Sequence, residues 1–189
     1  CFGVHSRHPM CLAALAPITS RFCTAPAPAY WDSSCCLATH GLYTCIAIAY
    51  WPDVDAFNQW REASGFAHWW QDPARESGSL GWFLEVVCPS ADRFETVFSS
   101  PDAREGVSHM STHMSEPILE HGYWGSARDR LAIAQSDALV AGQPNSQAAS
   151  ENPARIRLPG RDNLCLIRSG QDWTATTGQE RELYEREIQ

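Results

Sequence analysis

The stretch 42–63, LYTCIAIAYWPDVDAFNQWREA, contains two different hydrophobic patterns in direct succession. Residues 42–51 are rich in β-branched and aromatic residues, which predicts a strand. Asp53 is a favourable helix N-cap, and Phe57 and Trp60 then follow at helical spacing. The stretch therefore predicts a strand that leads directly into a helix.

A second predicted strand, LGWFLEVVC at 80–88, completes a strand–helix–strand unit. Weaker patterns predict further elements: a strand at 1–5, a short helix or turn-rich connection at 91–100, a helix within 115–125 that ends near Gly122, a polar surface loop or flexible lid at 141–163, a strand at 164–169 and a helix at 178–189. This mixture predicts the α+β class, in one domain or two small ones.

Composition excludes several classes of partner. The 189 residues are 44% apolar and carry a net charge of −8, which repels nucleic acids and anionic membrane surfaces. The longest uninterrupted apolar stretch, CIAIAYW, is far shorter than the roughly 20 residues of a membrane-spanning helix. MCLAALAPI followed by TAPAPA has some features of a signal peptide, but Pro17 interrupts it and no clear cationic start precedes it. We therefore expect a cytoplasmic protein with no nucleic-acid or membrane partner.

The eight cysteines stand at positions 1, 11, 23, 35, 36, 45, 88 and 165, without a C-x-x-C pair or a repeated spacing. Such a distribution is typical neither of a zinc site nor of a secreted disulfide framework. We therefore expect reduced, mostly buried thiols, with Cys35 and Cys36 as a buried pair.

Two polar patterns are candidates for chemistry. His109 and His113 would share one face of a helix, as two zinc ligands do, but no third ligand is evident, so two solvated or capping histidines are favoured. Ser169 follows an apolar stretch and precedes Gly170, where a hydroxyl can project into a cleft, although an ordinary turn residue is the simpler interpretation. The eight tryptophans predict either core or a pocket for a large planar ligand.

The block EHGYWGSARDR at 120–130 places a glycine on each side of an aromatic pair and an arginine on each side of Asp129. Together with IAYWPDVDAFNQW, WW, CPSADRFETVFSS, EGVSH and NLCLIRSGQDW, it makes the chain resemble the N-terminal portion of the haem-containing aldoxime dehydratases, phenylacetaldoxime or aliphatic. The resemblance is best over 42–189 and weakest over 8–40, and Ala127 stands where Met is common in that family.

The resemblance implies the dehydration of aldoximes to nitriles, with the oxime nitrogen on ferrous haem b. It assigns catalytic roles to Arg128, the distal arginine, and to Ser169, which hydrogen-bonds the oxime hydroxyl. Residues two apart lie on opposite sides of a helix, so Arg130 is expected to pair with Asp129 or a surface carboxylate. The axial and distal histidines are expected beyond Gln189, which leaves His121 as a helix-end histidine and assigns no metal ligand within the chain.

The resemblance also implies the ferredoxin-like half of a dimeric α/β barrel, with an antiparallel sheet, packed helices and a possible homodimer. We expect residues 1–189 to form the N-terminal portion of a haem-containing dehydratase domain, truncated at the C-terminus and inactive by itself, with a small aldoxime as the partner. Two alternatives stay open at this point: another haem enzyme or monooxygenase of the same barrel type, and a non-catalytic binding fragment.

Overall fold

The structure is a computed structural model. It describes the chain apart from residues 39, 99, 101, 120–123, 144–148, 153, 159, 169, 171–174 and 189, and at 124–126, 149–152, 184, 185, 187 and 188 it describes the backbone only. The strands are β1 (Phe2–Ser6), β2 (Tyr30–Leu37), β3 (Tyr43–Tyr50), β4 (Gly81–Leu84), β5 (Ala149–Asn152) and β6 (Arg155–Arg157). The α-helices are α1 (Ala16–Thr19), α2 (Val54–Ala63), α3 (Phe66–Gln71), α4 (Trp124–Arg130) and α5 (Gly178–Ile188). Short 3₁₀ helices occur at Leu12–Leu15, Ser20–Cys23, Pro73–Glu76, Ala91–Arg93, Gly106–Met110 and Ala132–Gln135.

A four-stranded antiparallel sheet in the order β2-β3-β1-β4 organises the fold. Because β1 is antiparallel to both β3 and β4, those two outer neighbours run parallel to each other. The helices α2 and α3 connect β3 to β4, which confirms the predicted strand–helix–strand unit. The α+β class is confirmed as well.

The junction at 42–63 folds as its sequence predicts. The Asp53 side chain accepts a hydrogen bond from the Ala56 N–H at 2.7 Å and so caps α2. Gly65, with a φ of 70°, adopts the left-handed conformation that ends α2 and turns the chain into α3. The strand at 80–88 is shorter than predicted, because β1 pairs with it only as far as Phe2 opposite Leu84.

The core lies between one face of this sheet and the helices. Phe2, Val4, Cys45 and Ala47 of the sheet pack with Ile18, Phe57, Trp60 and Phe66 of the helices. Trp60 is fully buried, and its indole N–H donates to the Arg21 carbonyl at 3.0 Å. Burial of one large apolar side chain stabilises the fold by about 1.5–3 kcal/mol, so this cluster is the main stabilising feature.

The chain divides into two compact units, Cys1–Ala138 with Ser150–Ile156, and Leu139–Ala149 with Arg157–Gln189. The first contains the sheet and the core. In the second, α5 begins with a capping box in which Thr177 and Glu180 exchange hydrogen bonds between side chains and backbone. None of the described helices is both long and apolar enough to cross a membrane.

Three predicted elements are wrong. Residues 115–119 are not helical, since Pro117 lacks the N–H that a helix needs and the side chains around it stay exposed, and the helix begins instead at Trp124. Residues 141–163 are not a plain loop, because β5 and β6 form a two-stranded sheet within them. Residues 164–168 are exposed and not a strand, since no other described segment pairs with them.

The expectation of reduced, mostly buried thiols holds for the reduced state of six cysteines but is wrong about their burial and about Cys35 and Cys45. Cys35 and Cys45 lie directly opposite each other on β2 and β3 and form a disulfide. Neighbouring residues of a strand point to opposite faces, so Cys36 is exposed and does not form a buried pair with Cys35. The other exposed free thiols belong to Cys11, Cys23, Cys88 and Cys165.

Candidate functional site

The two candidate arginines lie on the last turn of α4, and their side chains make different contacts. The exposed Arg128 donates a hydrogen bond to the backbone carbonyl of Ala138. Arg130 donates through Nε to Glu95, in an ion pair whose side chains are only 15% and 19% exposed. The predicted pairing of Arg130 with a carboxylate is confirmed, but the partner is Glu95 and not Asp129, and the pair is mostly buried and not exposed.

A second ion pair reinforces the position of α4. Arg93 and Asp137 approach to 2.7 Å, with both side chains about one-third exposed at 33% and 32%. The segment 93–95 is thus joined at two points to the segment 130–137. Sequence reasoning missed Glu95, although it stands in the block CPSADRFETVFSS that carries the resemblance. An acidic residue in such a block is a signal that could have identified it.

The other half of the predicted pair cannot be placed beside Arg128. Ser169 lies outside the described residues, and so does His121. The catalytic roles of Arg128 and Ser169 therefore stay predictions. What the structure supplies for this site is the helix that carries Arg128 and the ion pairs that hold that helix.

The side chains of His5, His109 and His113 make contacts that do not bring these residues together. His5 Nδ1 lies 2.8 Å from Thr44 Oγ1, and the His5 ring stacks on Phe83 with centroids 4.8 Å apart. The His109 ring stacks on the Tyr30 ring, with centroids 3.8 Å apart. The 3₁₀ helix that carries His109 ends at Met110, so His113 does not lie on the same helix. Within the described residues, no three His, Cys, Asp or Glu side chains form a group that could hold a metal ion.

Two open surface cavities lie among the described residues. One, of about 390 Å³, is lined by aromatic and polar side chains that include Trp69, Arg75 and Trp82. The other, of about 490 Å³, is lined by Cys11 and by apolar residues. None of these residues is basic, so nothing in the lining favours the thiolate form of Cys11 that could ligate a metal. No histidine lines either cavity. Neither cavity therefore supplies a histidine ligand for a haem group.

The haem-containing dehydratase family matches residues 3–189 of the chain. The aliphatic aldoxime dehydratase of Rhodococcus erythropolis is 36% identical over 190 residues, which cover 99% of this chain and 54% of that relative. The phenylacetaldoxime dehydratase of a Bacillus species is 29% identical over 162 residues, which cover 83% of this chain and 46% of that relative.

Solved structures show the same similarity. A crystal structure of an aldoxime dehydratase superimposes with a TM-score of 0.85 at 34% identity, over 99% of this chain and 55% of that one. A second, an aldoxime dehydratase in complex with butyraldoxime, gives a TM-score of 0.77 at 30% identity, over 99% of this chain and 54% of that one. The chain thus spans about half the length of the curated relatives it matches. Because the family match extends over nearly all of its residues, the chain belongs to the haem-containing dehydratase family.

Proposed function

We propose that this chain is part of a haem-dependent aldoxime dehydratase, a lyase that converts R–CH=N–OH into R–C≡N and water. The observation that carries the proposal is the family match over residues 3–189. The named activities of the relatives and the butyraldoxime complex of a similar structure support an aldoxime as the substrate class.

The chemistry requires hydroxide to leave from nitrogen, which is difficult unless the departing oxygen receives a proton or strong hydrogen bonds. In the proposed site the Ser169 hydroxyl donates to the oxime oxygen, where a hydrogen bond gains strength as charge develops. Arg128 orients the acid–base group that supplies the proton, since its planar guanidinium fixes direction as well as charge. Haem, when bound, would supply the iron that binds the oxime nitrogen, and the histidines that would hold the haem and transfer the proton are proposed to come from residues beyond Gln189.

A finer description of the fold belongs to the same proposal. The order β2-β3-β1-β4, with β1 antiparallel between two parallel strands joined by helices, supports a ferredoxin-like half of a dimeric α/β barrel. A homodimer is the assembly that this barrel type favours, and light scattering at several protein concentrations tests it. A cytoplasmic location is part of the same proposal: the exposed free thiols at 11, 23, 36, 88 and 165 support it, whereas the Cys35–Cys45 disulfide is of a kind that oxidising compartments favour.

The test uses a chimera in which this chain is joined to the part of the Rhodococcus erythropolis enzyme that the match leaves out. The haem-loaded chimera, reduced and supplied with butyraldoxime, is expected to form butyronitrile. Ser169→Ala is expected to lower turnover about 10²- to 10³-fold with little change in KM, because the hydroxyl acts mainly in the transition state. Ser136→Ala is the matched control, since among the described residues that exposed hydroxyl contacts a local carbonyl, that of Ile133, at 3.4 Å and no other group.

Two outcomes would contradict the proposal. Full turnover by Ser169→Ala would make Ser169 an ordinary turn residue. A chimera that binds haem but forms no nitrile from aliphatic or aromatic aldoximes would favour another haem enzyme on the same fold.

A further inference from the structure

The cavity of about 390 Å³ lies where α3, the 3₁₀ helix Pro73–Glu76 and β4 meet. Its apolar walls include Trp69, Leu80 and Trp82, and the two indole rings meet edge to face with centroids 5.1 Å apart. Arg75 is the cationic side chain among the lining residues. A concave apolar surface with few polar groups is typical of sites for small organic ligands.

Arg75 is held rigidly at this cavity. Its Nε donates to the Trp70 carbonyl at 3.0 Å, and its guanidinium lies 4.1 Å from the centroid of the Trp70 ring. The side chain is only 8% exposed. Because two contacts already fix the plane of the guanidinium, a ligand would lose little side-chain entropy on binding to it.

The positive charge of Arg75 is incompletely neutralised within the protein. The neighbouring Glu76 forms a close ion pair with Arg155, whereas it approaches Arg75 no closer than 3.9 Å. Burial, and then the nearby charge of Arg155, lower the pKa of Arg75, and Glu76 only partly opposes them. A ligand anion at Arg75 would relieve this unfavourable environment.

A second cation lies close to the tryptophan wall. The Arg21 guanidinium is 5.6 Å from the centroid of the Trp69 ring, and its Nε is buried without a hydrogen-bond partner among the described residues. Asp72 also lines the cavity, but one oxygen of its carboxylate already accepts from the Ala74 N–H at 2.9 Å. The lining residues thus carry one guanidinium, that of Arg75, and one carboxylate, that of Asp72, with the Arg21 guanidinium close by.

We propose that this cavity binds a small aryl carboxylate, with the carboxylate on Arg75 and the flat apolar body against Trp69 and Trp82. The planar fork of a guanidinium matches the two oxygens of a carboxylate, and the indole walls match an aromatic ring. The proposal goes beyond the proposed function, because aldoximes and nitriles carry no anionic group.

The test compares two probes of nearly the same shape on the 189-residue chain. Benzoate and benzamide differ in charge but not in their ring, and both can be titrated by calorimetry and by tryptophan fluorescence. Benzoate is expected to bind saturably at one site. Benzamide is expected to bind at least about tenfold more weakly, because it cannot form charge-assisted hydrogen bonds with Arg75. Equal affinity for the two probes, or no saturable binding of benzoate, would overturn the proposal.

Three substitutions locate the site. Arg75→Gln is expected to weaken benzoate about tenfold or more, with benzamide unchanged. Asp72→Asn keeps a good cap for the 3₁₀ helix but removes a negative charge, so benzoate should bind about two- to fivefold more tightly. Arg93→Gln is the matched control, because its ion pair with Asp137 does not line the cavity.

Circular dichroism and thermal unfolding of each variant separate loss of binding from loss of folding. If Arg75→Gln does not fold, the comparison of the two probes and the Asp72→Asn variant still decide. Unchanged benzoate affinity in a folded Arg75→Gln variant, or an equal loss in Arg93→Gln, would refute the assignment.

Discussion

Replacing Arg130 by glutamine leaves Glu95 without its cation in an ion pair whose side chains are 15% and 19% exposed. Removing one partner of a fully buried pair costs about 3–5 kcal/mol, whereas an exposed pair contributes only about 0–1 kcal/mol. The Arg130–Glu95 pair lies between these limits, so we expect Arg130→Gln to lower the free energy of unfolding by about 2 kcal/mol. This corresponds to a roughly 30-fold change in the unfolding equilibrium.

The matched control is Arg128→Gln, on the same turn of α4. The Arg128 side chain is exposed and donates to one backbone carbonyl, so its loss is expected to cost about 0.5–1 kcal/mol. Urea unfolding of the 189-residue chain, followed by tryptophan fluorescence, measures both values. A double-mutant cycle with Glu95→Gln should give a coupling energy of about 1–2 kcal/mol for Arg130 and near zero for Arg128.

Activity is expected to show the opposite order. In the haem-loaded chimera, Arg128→Lys should impair nitrile formation although the charge is retained, because an ammonium lacks the planar fork. The folded Arg130→Lys variant should keep near-normal turnover. The free energy of unfolding of this variant should fall by about 1 kcal/mol, because lysine cannot replace the Nε donor of the arginine. Equal unfolding losses for the two glutamine variants would refute the structural role of Glu95, and a larger activity loss at Arg130 would refute the choice of Arg128.

The 189-residue chain alone is expected to bind hemin weakly or not at all; a saturable Soret shift that disappears in His121→Ala would contradict this and make His121 the ligand. Gly3→Ala is expected to lower the free energy of unfolding by about 1–3 kcal/mol, because an added Cβ would lie 2.0 Å from a ring atom of Phe83. Gly81→Ala in the neighbouring strand, whose added Cβ would have its nearest neighbour at 3.9 Å, should be neutral or slightly stabilising, and equal urea midpoints would contradict the difference. Hydrogen bonds from the backbone N–H and then from the hydroxyl of Thr177 lower the pKa of Glu180 below its usual 4.5. The Glu180 carboxylate therefore stabilises α5 fully above pH 4.5, and this stabilisation is lost as the pH falls through the lowered pKa of the folded state. Glu180→Gln should remove this acid dependence, which circular dichroism of the helix measures.

The sheet and its first helices could be predicted because local and global signals agree there. The junction at 42–63 combines a strand pattern, a capping Asp53 and apolar residues at helical spacing, and the fold buries those same residues. Residues 164–168 are also rich in apolar side chains, but a strand is stabilised only when it pairs with another strand and packs against other residues. In the described structure Leu164, Leu166 and Ile167 are between 63% and 68% exposed, so that pattern has nothing to pack against.

The disulfide and the ion pairs could not be predicted for a different reason. Cys35 and Cys45 meet because of the register between β2 and β3, which spacing along the chain does not determine. Glu95 and Arg130 are 35 positions apart and meet through tertiary packing alone. The candidate site depends on contacts of this kind, which is why its residues could be named from the resemblance but not placed.

The contacts of the two arginines on α4 bear on which of them can act on a substrate. A guanidinium that orients a reacting group needs donors that the protein has not already engaged in charged contacts. Arg130 uses its Nε on a mostly buried carboxylate, and withdrawing it would leave the charge of Glu95 unpaired. Arg128 is exposed and contacts a neutral carbonyl, so it can exchange that hydrogen bond for another at small cost. This difference in cost, together with the position in the SARDR block, favours Arg128 as the catalytic residue and Arg130 as the residue that holds its helix in place.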